Sequence, residues 1–210
     1  MDEERPGADA WVPHTADVAQ LQGAVQGCRG CELWRAATQA VFGEGSAPAS
    51  LMLVGEQPGD REDREGEPFV GPAGRVLAEA LEEAGIARDE VYLTNAVKHF
   101  RFEERGKRRI HRRPDVGNIT ACRPWLEAEF AAVQPEVIVC LGATAARAVL
   151  GRPVKIGEER GHPIDGAQAP VVVTIHPSAI LRVRDAAERS EARAGLVADL
   201  RRARSVVRDN

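Results

Sequence analysis

Four short stretches of this chain gather residue types that can hold or transform a ligand. Gly55-Glu-Gln-Pro-Gly59 leaves an apolar run abruptly, and its two glycines and proline fix a tight turn. That turn either presents backbone N–H groups, with Glu56 and Gln57 at its mouth, or is an ordinary strand-to-helix connection. Glu67-Pro-Phe-Val-Gly-Pro-Ala-Gly74 follows. Its Pro/Gly-bounded Phe69 offers a ring on which a flat base could stack, or a side chain for the core. Asn95 directly follows a second apolar run, and its amide supplies the donor and acceptor needed to read one edge of a nucleobase. Asn is also a common turn residue. His176-Pro-Ser-Ala-Ile-Leu-Arg182 combines a histidine suited to a developing negative charge with Ser178 and Arg182, both suited to phosphate.

Charge is concentrated between residues 98 and 113. Eight Lys or Arg against Glu103 and Glu104 give this stretch a net charge of +6, while the rest of the chain carries −10. A basic segment on an acidic body reads as a local phosphate contact through Lys107, Arg108 and Arg109, or as a solvated surface loop. The overall charge of −4 excludes indiscriminate coating of nucleic acid. Four cysteines are spaced as Cys28-x2-Cys31 and Cys122-x17-Cys140. Thiols in a protein without export signals point to metal rather than to disulfides, and four thiolates by themselves suit zinc. Cys140 also reads as a buried apolar residue of its strand.

The elements that must position these groups alternate. A helix is expected from Thr15 to about Trp34, interrupted near Gly27 where Cys28 and Cys31 lie. Apolar runs at 50–54, 91–94, 136–141 and 169–175 read as buried strands. Helical patterns follow at 72–84, from a cap at Asn118 past Phe130, at 143–150 and at 185–207. This order predicts an α/β fold, a three-layer α/β/α arrangement with a mainly parallel sheet of about four strands. Ligands of such sheets bind beyond the carboxyl ends of the strands, which is where the candidate segments fall.

At 210 residues, 43% hydrophobic and 29% charged, the chain reads as one domain over 1–210, with 1–14 a flexible N-terminal segment. Neither a signal peptide nor a membrane-spanning run is visible, so a cytoplasmic monomer is expected.

Taken together, Gly55–Gly59, Phe69, Asn95 and His176–Ser178 resemble the uracil-DNA glycosylase superfamily, over most of the chain from Cys28 to Arg182. The resemblance is to its iron–sulfur, family 4-related branch. It implies that Phe69 stacks on a flipped uracil, that Asn95 and Gln57 contact the base, and that His176 stabilises the departing uracil anion. It also implies that Cys28, Cys31, Cys122 and Cys140 hold a [4Fe–4S] cluster. Gln57 departs from the Asp or Ala common at its position, which leaves Glu56 as the nearby carboxylate. The insertion Gly106-Lys-Arg-Arg-Ile-His111, with Gly-Glu-Gln-Pro-Gly, is similar to the UdgX group. That likeness implies that His111 attacks the sugar C1′ exposed by uracil loss and stays attached. Single-stranded DNA, whose bases unstack most readily, is the expected substrate. The competing expectations are an ordinary turnover glycosylase with His111 on phosphate, and a module that binds uracil-containing DNA without chemistry.

Overall fold

A computed structural model describes residues 5–209. Among these residues eight strands are present: β1 (Glu44–Gly45), β2 (Leu51–Gly55), β3 (Val91–Asn95), β4 (Phe102–Arg105), β5 (Arg108–His111), β6 (Val137–Leu141), β7 (Pro163–Ile164) and β8 (Val171–Thr174). The helices are α1 (Val18–Val25), α2 (Asp60–Glu65), α3 (Pro72–Ala84), α4 (Val116–Val133), α5 (Ala143–Leu150), α6 (Ile156–Glu159), α7 (Pro177–Arg182) and α8 (Ala186–Asp209). One sheet runs in the order β1-β3-β2-β6-β8-β7. Its four inner strands are parallel, and the two-residue strands β1 and β7 close the edges antiparallel. The expected four-stranded parallel core is present, with two short edge strands added.

Side-chain alternation builds the layers. Met52, Val54, Tyr92, Ile138, Cys140, Val171 and Val173 point to one face and pack with residues of α1, α4 and α5. Leu51, Leu53, Val91, Leu93, Val137, Val139 and Val172 point to the other, against α3, α7 and α8. All four inner strands are buried along their whole length, which accounts for their unbroken apolar runs. Each buried aliphatic side chain contributes roughly 1.5–3 kcal/mol. Pro72 opens α3 and Gly85, at φ +74°, ends it.

Three expectations are corrected. The cap of α4 is Asp115, not Asn118: the two form a reciprocal capping box, and Asn118 occupies its third position. The basic segment is not a loop but the hairpin β4–β5, turning through Gly106 at φ +60°. The N-terminal segment is anchored from Arg5 onward. Arg5 bridges Glu32 and Asp115, the Gly7 and Ala8 N–H groups donate to Gly30 and Ala121 carbonyls, and Ala8 is buried. Residues 1–4 lie outside those described. No helix among the described residues is long and apolar enough to cross a membrane.

Candidate active site

The carboxyl ends of β2, β3 and β8 open into one cleft of about 650 Å³, lined by Glu56, Phe69, Asn95, His111, His176 and Arg182 among others. This volume suits a nucleotide-sized ligand. Phe69 holds φ +60°, a strained value for an aromatic residue. Two glycines make room for it. A Cβ on Gly74 in α3 would sit 1.5 Å from the Phe69 carbonyl oxygen. A Cβ on Gly55 would meet Asn95 Oδ1 at 2.3 Å and Phe69 Cζ at 2.7 Å. The end of β2 therefore lacks a side chain so that Phe69 and Asn95 can share one pocket wall. Among the described residues the Asn95 amide has no hydrogen-bond partner, and no buried polar side-chain atom is left unsatisfied, so its donor and acceptor face the cleft.

His176 caps α7. Its Nδ1 accepts the Ser178 backbone N–H at 3.2 Å and lies 2.8 Å from Ser178 Oγ. An Nδ1 that accepts leaves the proton on Nε2, which becomes a donor. Burial, reinforced by Arg182 and by His111 whenever its ring is protonated, pushes the His176 pKa down to about 4, so the ring is neutral near pH 7. Ser178, expected on phosphate, thus positions His176. Arg182 stands exposed on the cleft rim.

His111 ends β5, opposite Phe102, with its Nε2 3.5 Å from Glu56 Oε1 and its side chain half exposed. Burial lowers its pKa; Glu56 opposes that shift and Arg182 reinforces it. Glu56 is held from the other side by the hydroxyl of Thr144, and Arg113 lies 3.5 Å from its Oε2. Thr144, buried in the first turn of α5, carries no sequence signal because its partner is 88 positions away.

The expected base contact Gln57 has another task. Its Nε2 donates to the Arg101 and Arg112 carbonyls at 3.1 and 3.0 Å, and its Oε1 accepts the Arg101 N–H at 3.0 Å. The whole amide clamps the two ends of the hairpin, so both donor hydrogens that uracil would need are occupied. Arg109 is also turned inward. Its guanidinium pairs with Asp60 at 2.5 Å and with the fully buried Asp63 at 2.6 Å, and lies over the Phe102 ring. Lys107 and Arg108 remain exposed at the hairpin tip.

All four cysteines are free and buried. Cys28 Sγ accepts from Trp125 Nε1 at 3.2 Å and from the Gly30 N–H at 3.5 Å, and Cys122 Sγ accepts the Lys98 N–H at 3.3 Å. Burial raises the Cys31 thiol to about 11 and the Cys122 thiol to about 12; Cys28 adds to the rise at Cys31, and Cys31 and Cys28 add to that at Cys122. Cys140 is raised by burial alone, with no other cysteine contributing. Three thiols therefore converge, while Cys140 stands apart in mid-strand between Val54 and Val173. Among the described residues no three His, Cys, Asp or Glu side chains group closely enough for a single metal ion.

A buried network lies beneath the pocket. Lys98 and Glu129, both fully buried, pair at 2.5 Å; Lys98 Nζ also donates to Thr94 Oγ1 and the Asn95 carbonyl.

Comparison with known proteins agrees with this geometry. The family model described as the uracil DNA glycosylase superfamily matches residues 42–201. A Type-4 uracil-DNA glycosylase of Thermotoga maritima is 38% identical over 186 residues, covering 88% of this chain and 91% of that protein. One from Pyrobaculum aerophilum is 35% identical over 174 residues, covering 79% and 85%. With its pocket walls at the ends of β2, β3 and β8 and this match over most of its length, the chain belongs to the uracil DNA glycosylase superfamily.

Proposed function

We propose that this protein excises uracil from DNA, preferentially single-stranded, and is then retained on the abasic sugar through His111. The observation that carries the reading is the approach of His111 Nε2 to Glu56 Oε1, 3.5 Å, at the mouth of a cleft walled by Phe69 and Asn95. A flipped uracil stacks on Phe69, and the Asn95 amide meets O4 with its Nδ2–H donor and N3–H with its Oδ1 acceptor. The C1′–N1 bond breaks and its electron pair leaves with uracil. The Nε2–H of neutral His176 donates to the charge that develops on O2. The sugar left behind is electrophilic at C1′, and the Glu56 carboxylate is the nearest countercharge.

Neutral His111 then supplies a nitrogen lone pair to C1′. The other ring nitrogen of the alkylated imidazolium gives up its proton to bulk water, and the resulting neutral alkyl imidazole is a poor leaving group. Exposed Lys107, Arg108 and Arg182 hold phosphates, whereas Arg109 holds the hairpin itself. A [4Fe–4S] cluster on Cys28, Cys31, Cys122 and Cys140, all buried and none in a disulfide, would tie the N-terminal segment to α4 and β6.

The test is a denaturing gel after mixing the protein with uracil-containing single-stranded DNA. A slow-migrating protein–DNA species that disappears in His111→Ser is expected. A wild-type lane with free abasic product and no such species would sink the covalent claim. That outcome corresponds to a second reading, a turnover glycosylase, which the 38% identity to a Type-4 enzyme favours. Intact glycosidic bonds would instead leave a uracil-DNA-binding module.

A further inference from the structure

We infer that Thr144 is a positioning residue for Glu56: its hydroxyl, backed by Arg113, holds one carboxylate oxygen and leaves the other toward His111 and the sugar. This rests on the reading that the chain excises uracil with Glu56 as the countercharge to C1′.

The direction of the two bonds is forced by their chemistry. Arg113 Nε donates to Thr144 Oγ1 at 2.9 Å, and a guanidinium cannot accept. Thr144 Oγ1 is therefore the acceptor there, and its single proton is left to donate. That proton goes to Glu56 Oε2. A threonine inside a helix often spends it on a carbonyl one turn back. Among the described residues Thr144 makes no such bond, so its hydroxyl is committed to the carboxylate.

The two oxygens of Glu56 are thereby made different. Oε2 takes the Thr144 proton and lies 3.5 Å from Arg113 Nε. Oε1 accepts no hydrogen bond among the described residues and lies 3.5 Å from His111 Nε2. It is the oxygen left to face positive charge in the cleft.

Thr144 is a fixed point and Glu56 is not. Thr144 is 2% exposed, in the first turn of α5. That turn is locked to the opposite wall of the cleft. The Gly142 N–H donates to the Thr174 carbonyl at 2.9 Å, and a Cβ on Gly142, at φ +92°, would sit 3.2 Å from His176 Cβ. The start of α5 therefore abuts both the group facing the uracil anion and the group facing the sugar. Glu56 hangs from the turn after β2 on a flexible, partly exposed side chain, and Arg113 is mostly exposed. Without the hydroxyl the carboxylate is free to turn outward. That costs the transition state rather than the bound substrate, because charge at C1′ develops only as the C1′–N1 bond breaks. Thr144 keeps its proton throughout and takes no part in bond making.

The experiment measures uracil release from single-stranded DNA in single turnover, over a range of protein concentration, for wild type, Thr144→Val and Thr144→Ser. Thr144→Val keeps the shape and removes the hydroxyl; its maximal rate should fall by about 10–100-fold with the half-saturating concentration unchanged. Thr144→Ser restores the hydroxyl and should recover the rate to within about threefold of wild type. In a Glu56→Ala background, Thr144→Val should change the remaining rate by less than about twofold, since the group it positions is gone. Thr144→Val at the wild-type rate, no rescue by Thr144→Ser, or an equal loss in the Glu56→Ala background overturns the assignment. Wild type that releases uracil without forming an adduct fails the capture reading and leaves this comparison intact. Wild type that releases no uracil fails the excision reading and takes this role with it, a result distinct from each of the others.

Discussion

The side-chain amide of Gln57 donates to the main-chain carbonyl of Arg112 at 3.0 Å, joining the first pocket turn to the strand end that carries His111. The same amide accepts and donates at Arg101, the hairpin's other foot. Placement of the imidazole against the pocket is thus a property of the fold before any DNA arrives.

Gln57→Ala should therefore separate the two stages of the reaction. Uracil release should fall by only a few-fold, while adduct formation slows by about 10–100-fold as the hairpin loosens. Quench-flow measurement of free uracil against gel quantification of adduct checks this. Equal slowing of both stages would mean that Gln57 acts on the base.

Adduct formation should depend on the neutral form of His111. Burial lowers the pKa of this group, so the rate should be flat above the ordinary histidine value of about 6.5 and fall with acidification only below it. Arg182→Ala removes a charge that lowers the pKa and should move the inflection upward. Single-turnover rates across pH decide it; an inflection that ignores Arg182 would contradict the assignment.

The basic residues of the hairpin should divide. Arg109→Ala leaves buried Asp63 without its cation and should cost about 3–5 kcal/mol, read as a lower urea midpoint. Lys107→Ala and Arg108→Ala should leave that midpoint unchanged. Each should instead reduce the slope of log affinity against log salt by about 0.7 on single-stranded DNA.

Gly55→Ala should close the pocket without unfolding the sheet, because the new methyl collides with Asn95 Oδ1 and Phe69 Cζ. Uracil excision should drop by at least about 100-fold, corresponding to roughly 3 kcal/mol of lost transition-state binding. Activity near wild type would show that Asn95 and Phe69 do not share the base.

The parallel core was legible because β2, β3, β6 and β8 are buried on both faces and so appear as continuous apolar runs. Helix α3 was legible to the residue, since Pro72 and Gly85 mark its ends chemically. The hairpin was hidden because its alternation runs through charged side chains, such as Glu104 opposite Arg109. Asn95, Phe69 and His176 stood out by their places after strands or beside glycines. The tasks of Gln57 and Thr144 did not, because their partners lie 44 to 88 positions away and only tertiary packing joins them.

Lys98 donates its N–H to Cys122 Sγ and its ammonium to the Asn95 carbonyl. One residue therefore spans the distance between the thiol site and the edge that reads the base. Main chain at one end and side chain at the other, Lys98 makes the packing around Cys122 and the placement of Asn95 parts of one unit.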